Sequence, residues 1–410
     1  EAISKVDVTE LGNKVKDGFE RAASRLNDFA ESYVGRHPGS FDENNMNFES
    51  FQDNVSKSYD NAELGNQRIN LVVDGLCADI RVRESSNGQI NIRYINNGSE
   101  RQKQKYNFYS YMEGNTIYAG VRIVNNAVFL FNFKAYDMII YLEIPEGMGI
   151  VDIKTASGDI DSDSVKPERF YAETASGDIS LKRIDADELK IRSASGDIKA
   201  EDSNAAVIQA SAISGDIEAK NITARDLTLK STSGDVDTDH TKADIIDYSS
   251  LSGSLDINHL KAAECKLKST SGDIEIDNST MNNADVGTIS GDVKLSNTAG
   301  ESLNVKSTSG EVNLDVNVRK CWAGSKSGNV KAALTGDVTL ESSSTSGNIQ
   351  VYLNNFVNGY LLKSRTVSGN LSIQYNDLHQ RNLKTGIYSY GNQGSDLTLS
   401  SVSGNIQVNG

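Results

Sequence analysis

Three prolines in 410 residues leave almost every backbone N–H free to donate, which excludes a polyproline or collagen-like chain and suits a long hydrogen-bonded ladder. Cysteine is as scarce. Cys77, Cys265 and Cys321 are too few and too scattered for a disulfide framework, and none sits in a CxxC or Cys/His metal pattern. No run approaches the roughly 18–20 apolar residues of a transmembrane helix. Positive charge is in deficit, with 41 Lys and Arg against 56 Asp and Glu for a net charge of −15. That balance opposes a phosphate-neutralising surface, so nucleic acid is not expected as a partner.

What is abundant is glycine, 34 residues, and its placement is periodic. The dipeptide Ser-Gly recurs with its glycine at 158, 177, 196, 215, 234, 253, 272, 291 and 310, a spacing of 19 residues, and again at 328, 347, 369 and 404. A period this short is one supersecondary unit that buries its apolar face only by stacking on its neighbours, so the spacing predicts a solenoid. Seven residues before the glycine runs an apolar column that includes Val151, Phe170, Leu189, Ile208 and, at the far end, Leu397. Two residues after it runs another, from Ile160 and Ile179 to Ile406. Both columns face the core. Three before the glycine every residue is Thr, Ser or a single Ala, as a tight bend with stacked hydroxyls requires. The coils should pair in parallel about 4.8 Å apart, and the crossover rule makes the winding right-handed. The fold class is all-β, a right-handed single-stranded parallel β-helix preceded by a short α-helical segment.

Five segments follow from these patterns. Residues 1–38 read as an amphipathic helix, cap or stalk, through Leu11, Val15, Phe19, Leu26, Phe29 and Tyr33, stopping at Gly35 before Pro38. Residues 39–65 read as a polar linker. Alternating, β-branched strands, Val128–Phe133 among them, make 66–150 a set of irregular first β-coils. The regular 19-residue solenoid covers 151–373. Residues 374–410 read as a C-terminal coil with an inserted capping segment.

The residue after the glycine is Asp at 159, 178, 197, 216, 235, 273 and 292, with Ser254 and Glu311 interposed and Asn at 329, 348, 370 and 405. One carboxylate per coil is sparse for calcium, which takes six to eight oxygens, and the drift to Asn points to turn hydrogen bonding. No metal site and no cofactor is expected. The four histidines, His37, His240, His259 and His379, read as far apart in register, and coils of constant length leave no loops to roof a catalytic cleft. No catalytic residue is assigned. The long interval before Gly404 carries Tyr375, His379, Arg381, Tyr388 and Tyr390, a candidate partner-binding group and equally a cover for the last coil's open edge. The tyrosine-rich run from Tyr106 to Tyr111 has the same two readings.

Ser-Gly-Asp-Ile at 157–160, 176–179, 195–198, 214–217 and 271–274, the lead-in from Val72 to Val82, the strand from Tyr141 to Pro145 and the closing Gly-Ser-Asp-Leu-Thr-Leu from Gly394 resemble the bacterial "putative adhesin" family of β-strand-repeat proteins of unknown function. The resemblance covers about residues 66–410. It implies a β-helix outside the cytoplasm, at the cell surface or membrane-associated through a segment absent from this chain, with no catalytic residues to carry over. The function expected is therefore a non-catalytic, extracytoplasmic structural or adhesin-like module, monomeric, offering a rigid surface to a cell-surface protein or glycan. A self-assembling scaffold is the alternative, and a carbohydrate-active β-helix enzyme a weaker one.

Overall fold

The computed structural model describes residues 50–51, 54–60, 68–124, 138–354, 358–375 and 378–410; the helix read at the N-terminus and the strand read at Val128–Phe133 lie outside them. The chain divides between Asp226 and Leu227 into two compact units. Each is a parallel β-solenoid.

In the first unit a coil is two strands joined by the Ser-Gly bend. Arg169–Thr174 leads into Ser176-Gly177, and Ile179–Ser193 leads out and continues into the next coil. The 19-residue period becomes the register itself: Ile160 pairs with Ile179, Phe170 with Leu189, Leu189 with Ile208 and Ile198 with Ile217. Both apolar columns are fully buried, because strand alternation sends every second side chain inward and parallel stacking lays like on like.

The bend is held by two side-chain ladders. Thr174 Oγ1 accepts the Gly177 N–H at 3.0 Å and donates to the Gly158 carbonyl one coil below at 3.2 Å. Ser193 does the same between Gly196 and Gly177. Beside it, the Asp178 N–H donates to Asp159 Oδ1 at 2.9 Å, the Asp197 N–H to Asp178 Oδ1 and the Asp216 N–H to Asp197 Oδ1. The Asp file is thus a capping ladder, but each carboxylate serves the coil above instead of its own turn. Bends stack so closely that a Cβ on Gly177 would lie 1.9 Å from the Gly158 oxygen. Close backbone approach, not a positive φ, demands the glycine.

A second periodic turn is occupied by ordinary residues with φ between 48° and 59°: Ser164, Arg183, Asp202 and Asn221 in the first unit, His240, His259, Asn278 and Asn297 in the second. Asn and Asp tolerate this left-handed region best. Where Leu295 pairs with Leu314 and Thr298 with Val316, two residues, Ser296 and the left-handed Asn297, stand against the single Asp315, so one residue has been dropped at this turn. That deletion makes the following glycine interval 18 residues instead of 19.

The second unit stacks the same way up to Gly347 and then leaves chain order. Gly404 sits on Gly347, and Gly369 sits on Gly404. The C-terminal strands Ser395–Ser401 and Ile406–Asn409 are therefore inserted between Thr339–Ser344 with Ile349–Asn354 on one side and Gly359–Thr366 with Leu371–Tyr375 on the other. The outer edge of that last parallel coil is covered by Gly386–Gly391 and Leu378–Leu383, both antiparallel. The segment expected to cover the final coil of the chain covers the coil before it. The first unit is built alike. Asn70–Asp74 and Asp79–Glu84 lie between Ile150–Thr155 with Ile160–Val165 and the outer strands Thr116–Ile123 and Met138–Ile144. Antiparallel Tyr106–Glu113 and Ile90–Asn96 flank those outer strands.

Candidate partner-binding surface

Outward side chains form straight rows, one member per coil. In the first unit Lys199 stands 3.1 Å from Glu201 and 3.2 Å from Glu218, and Lys182 reaches Glu201 at 3.1 Å. Hydrogen bonds from Lys199 and Lys182 hold the Glu201 carboxyl below the ordinary carboxylate range. These pairs are part-exposed and each adds little stability. They leave a surface of alternating charge.

One row of the second unit runs Asp247, Lys266, Asp285, Asn304, Trp322, Glu341. Lys306 lies over the Trp322 ring at 4.8 Å. Beside the row Lys268 is almost wholly buried, with its ammonium 2.8 Å from Asp285. Burial pushes its pKa down, against the pull of that carboxylate. Next to this pair the core column shrinks to Cys265 and Ala284, and a groove of about 440 Å³ opens over them, rimmed by Ile245, Lys266, Asp285 and Ser302. Ile245 is half exposed at its edge.

The five residues singled out near the C-terminus fall into two settings. Tyr375 is buried and meets Tyr390 edge-on at 4.9 Å and Tyr360 at 5.5 Å, and Tyr390 stacks on Tyr360 at 6.1 Å. His379 and Arg381 are exposed on the antiparallel strand Leu378–Leu383, and the Tyr388 hydroxyl donates to the Lys384 carbonyl at 2.6 Å. The tyrosine-rich run near residue 106 divides by strand alternation. Phe108 packs inward against Tyr94 at 5.0 Å, whereas Tyr111 stacks on Tyr118 on the other face at 5.3 Å.

Two histidines read as remote from each other are neighbours. His240 and His259 occupy the left-handed turn of successive coils, with rings stacked 4.3 Å apart. Their Nδ1 atoms stand 2.9 and 3.0 Å from the same Asp239 Oδ1. The signal was their separation of one coil period, which a search for CxxC or HxxxH spacings passes over.

All three thiols are buried and free. Burial pushes Cys321 up to about 12 and Cys77 to about 11. Cys265 lies three coils from Cys321 in one core column, separated by Ala284 and Leu303.

In-register rows on a hydrogen-bonded stack, with antiparallel strands over the outer coil, define a parallel β-solenoid. The chain belongs to the Toastrack DUF4097 family, whose model matches residues 67–245 and 239–409. Three solved structures are similar over 87% of the chain. A "putative cell adhesion protein" from Clostridium sporogenes is 9% identical, covered over 98% of its length, with a TM-score of 0.18. A "putative adhesin" from Bacteroides fragilis is 14% identical, covered over 98%, with a TM-score of 0.20. A "putative lipid binding protein" from Parabacteroides distasonis is 14% identical, covered over 96%, with a TM-score of 0.18. No curated protein matches the chain.

Proposed function

We propose that this protein is a non-catalytic, extracytoplasmic structural module that presents rigid rows of side chains to a protein or glycan partner at a cell surface. The observation that carries this reading is the constancy of the coils. The eight coils whose left-handed turns carry Ser164 to Asn297 repeat the same bend and the same turn, so their outward positions form fixed rows, and among these described residues no inserted loop roofs a cleft over them. The winding is taken as right-handed, following the crossover rule. Partner contact is assigned to the groove beside Lys268 and to the aromatic C-terminal strands with His379, Arg381, Tyr388 and Tyr390. There an apolar floor and stacked rings offer the geometry that sugars and extended peptides use. End-to-end assembly is disfavoured by the exposed, polar strand Leu378–Leu383 covering the last parallel coil.

The test is protease shaving of intact source cells combined with fractionation. The reading predicts a protein accessible from outside and recovered with the envelope. Recovery in the cytosolic fraction, protected from external protease, would contradict it.

A further inference from the structure

We propose that Asp239, His240 and His259 form a binding site for a divalent transition-metal ion of the kind that prefers imidazole, such as Zn2+, Cu2+ or Ni2+. The site arises from the solenoid itself. His240 and His259 hold the left-handed position of adjacent coils, with φ 53° at both, and their backbone N–H groups are fixed to Asn258 and Asp277 carbonyls one coil on at 3.2 Å. Parallel stacking then lays one imidazole over the other at 4.3 Å with only 19° between the ring planes. The residue before the turn, Asp239, extends its Oδ1 to both Nδ1 atoms.

The spacing of each imidazole nitrogen from the shared carboxylate oxygen fits a metal. Two bonds of about 2.1 Å to one ion separate their donor atoms by about 3.0 Å at right angles and about 3.4 Å at the tetrahedral angle. The observed nitrogen–oxygen separations are 2.9 and 3.0 Å, and all three donor atoms lie within 4.8 Å of one another. Two imidazoles and one carboxylate select a borderline transition ion over calcium, whose ligands are oxygens. The rings and the carboxylate are all part-exposed, so an ion has an entry path and solvent completes its coordination. The next two coils carry Asn278 and Asn297 at the same turn, which shows that the backbone does not need histidine there.

That last point supplies the variants. His240→Asn, His259→Asn and the double substitution keep a residue suited to the left-handed turn. Calorimetric titration of the tag-free full chain with ZnCl2 at neutral pH should give one equivalent bound at micromolar affinity. Each single variant should bind at least about tenfold more weakly, with unchanged far-UV circular dichroism. A second readout needs no variant: Cu2+ bound to the unaltered chain should show electron paramagnetic resonance splitting from two imidazole nitrogens. The proposal is overturned if the unaltered chain takes up no ion below millimolar concentration, if the double variant binds as tightly as the parent, or if the copper spectrum shows fewer than two nitrogen ligands.

Discussion

An alanine at position 272 would bring its methyl carbon to 2.1 Å from the Gly253 carbonyl oxygen and 2.4 Å from its carbon, so the two stacked bends must separate. Gly272→Ala should therefore destabilise by about 3 kcal/mol or more, at the upper end of overpacking. Gly386→Ala, whose nearest contact is a tyrosine ring atom at 3.5 Å, should have little effect. The urea midpoints of the two variants decide this, and equal midpoints would show that the bends do not touch. At the same bend the Ser269 hydroxyl accepts from Gly272 N–H at 2.9 Å and donates to Gly253 O at 3.0 Å. Ser269→Ala strands both groups and should cost about 1–3 kcal/mol. Ser269→Thr restores the hydroxyl that Thr288 supplies one coil on, and should be near neutral. Desolvation raises all three thiols, so Cys77, Cys265 and Cys321 should resist a maleimide at pH 8 in the native state and react once unfolded. Rapid native labelling would displace the core column from its register.

Coils, as elements, were largely legible. The glycine spacing and the columns before and after it translate directly into Leu189 on Ile208 and Ile198 on Ile217, because a period of 19 leaves a parallel stack only one register. Two features were not. Stacking order at the C-terminus could not be read, since the coil at Gly404 and the coil at Gly369 carry the same repeat and fit either place. The left-handed turn was hidden because Ser, Arg, Asp, Asn and His share no side-chain chemistry, only a backbone conformation. The inserted C-terminal coil makes a specific prediction. Ile406 N–H is bonded to Asn370 O and Ile349 N–H to Asn405 O, so this coil is clamped on both edges. Amide exchange in 395–409 should be as slow as in 330–353, whereas the covering strand Leu378–Leu383 should exchange orders of magnitude faster. Fast exchange throughout 395–409 would place that coil at the outside of the stack.

At the scale of the whole molecule, the net charge of −15 and the Asp file invite a role for calcium, and the hydrogen bonds argue otherwise. Asp159, Asp178, Asp197, Asp235, Asp273 and Asp292 each already accept a backbone N–H from the next coil, Asp273 from Asp292 at 2.7 Å and Asp292 from Glu311 at 2.7 Å. Millimolar calcium and EGTA should give the same melting temperature. A calcium-dependent rise of several degrees would mean that the native state binds the ion. The candidate surface was only half legible for a related reason: the aromatic residues from Tyr375 to Tyr390 stand out in the sequence, whereas a groove made by Cys265 and Ala284 under Ile245 exists only once four coils are aligned. Everything argued for the surface, the groove and the histidine pair rests on register. The direct measurement is disulfide trapping in the full chain. Lys199 and Glu218 are register partners on adjacent coils with touching side chains, and parallel neighbours at about 4.8 Å lie within the 4.4–6.8 Å that a disulfide spans. Lys199→Cys with Glu218→Cys should cross-link almost completely under mild oxidation. Lys199→Cys with Lys220→Cys, offset by two residues to about 8 Å, should stay reduced. Equal trapping of both pairs, or failure of the first, would contradict the 19-residue stack.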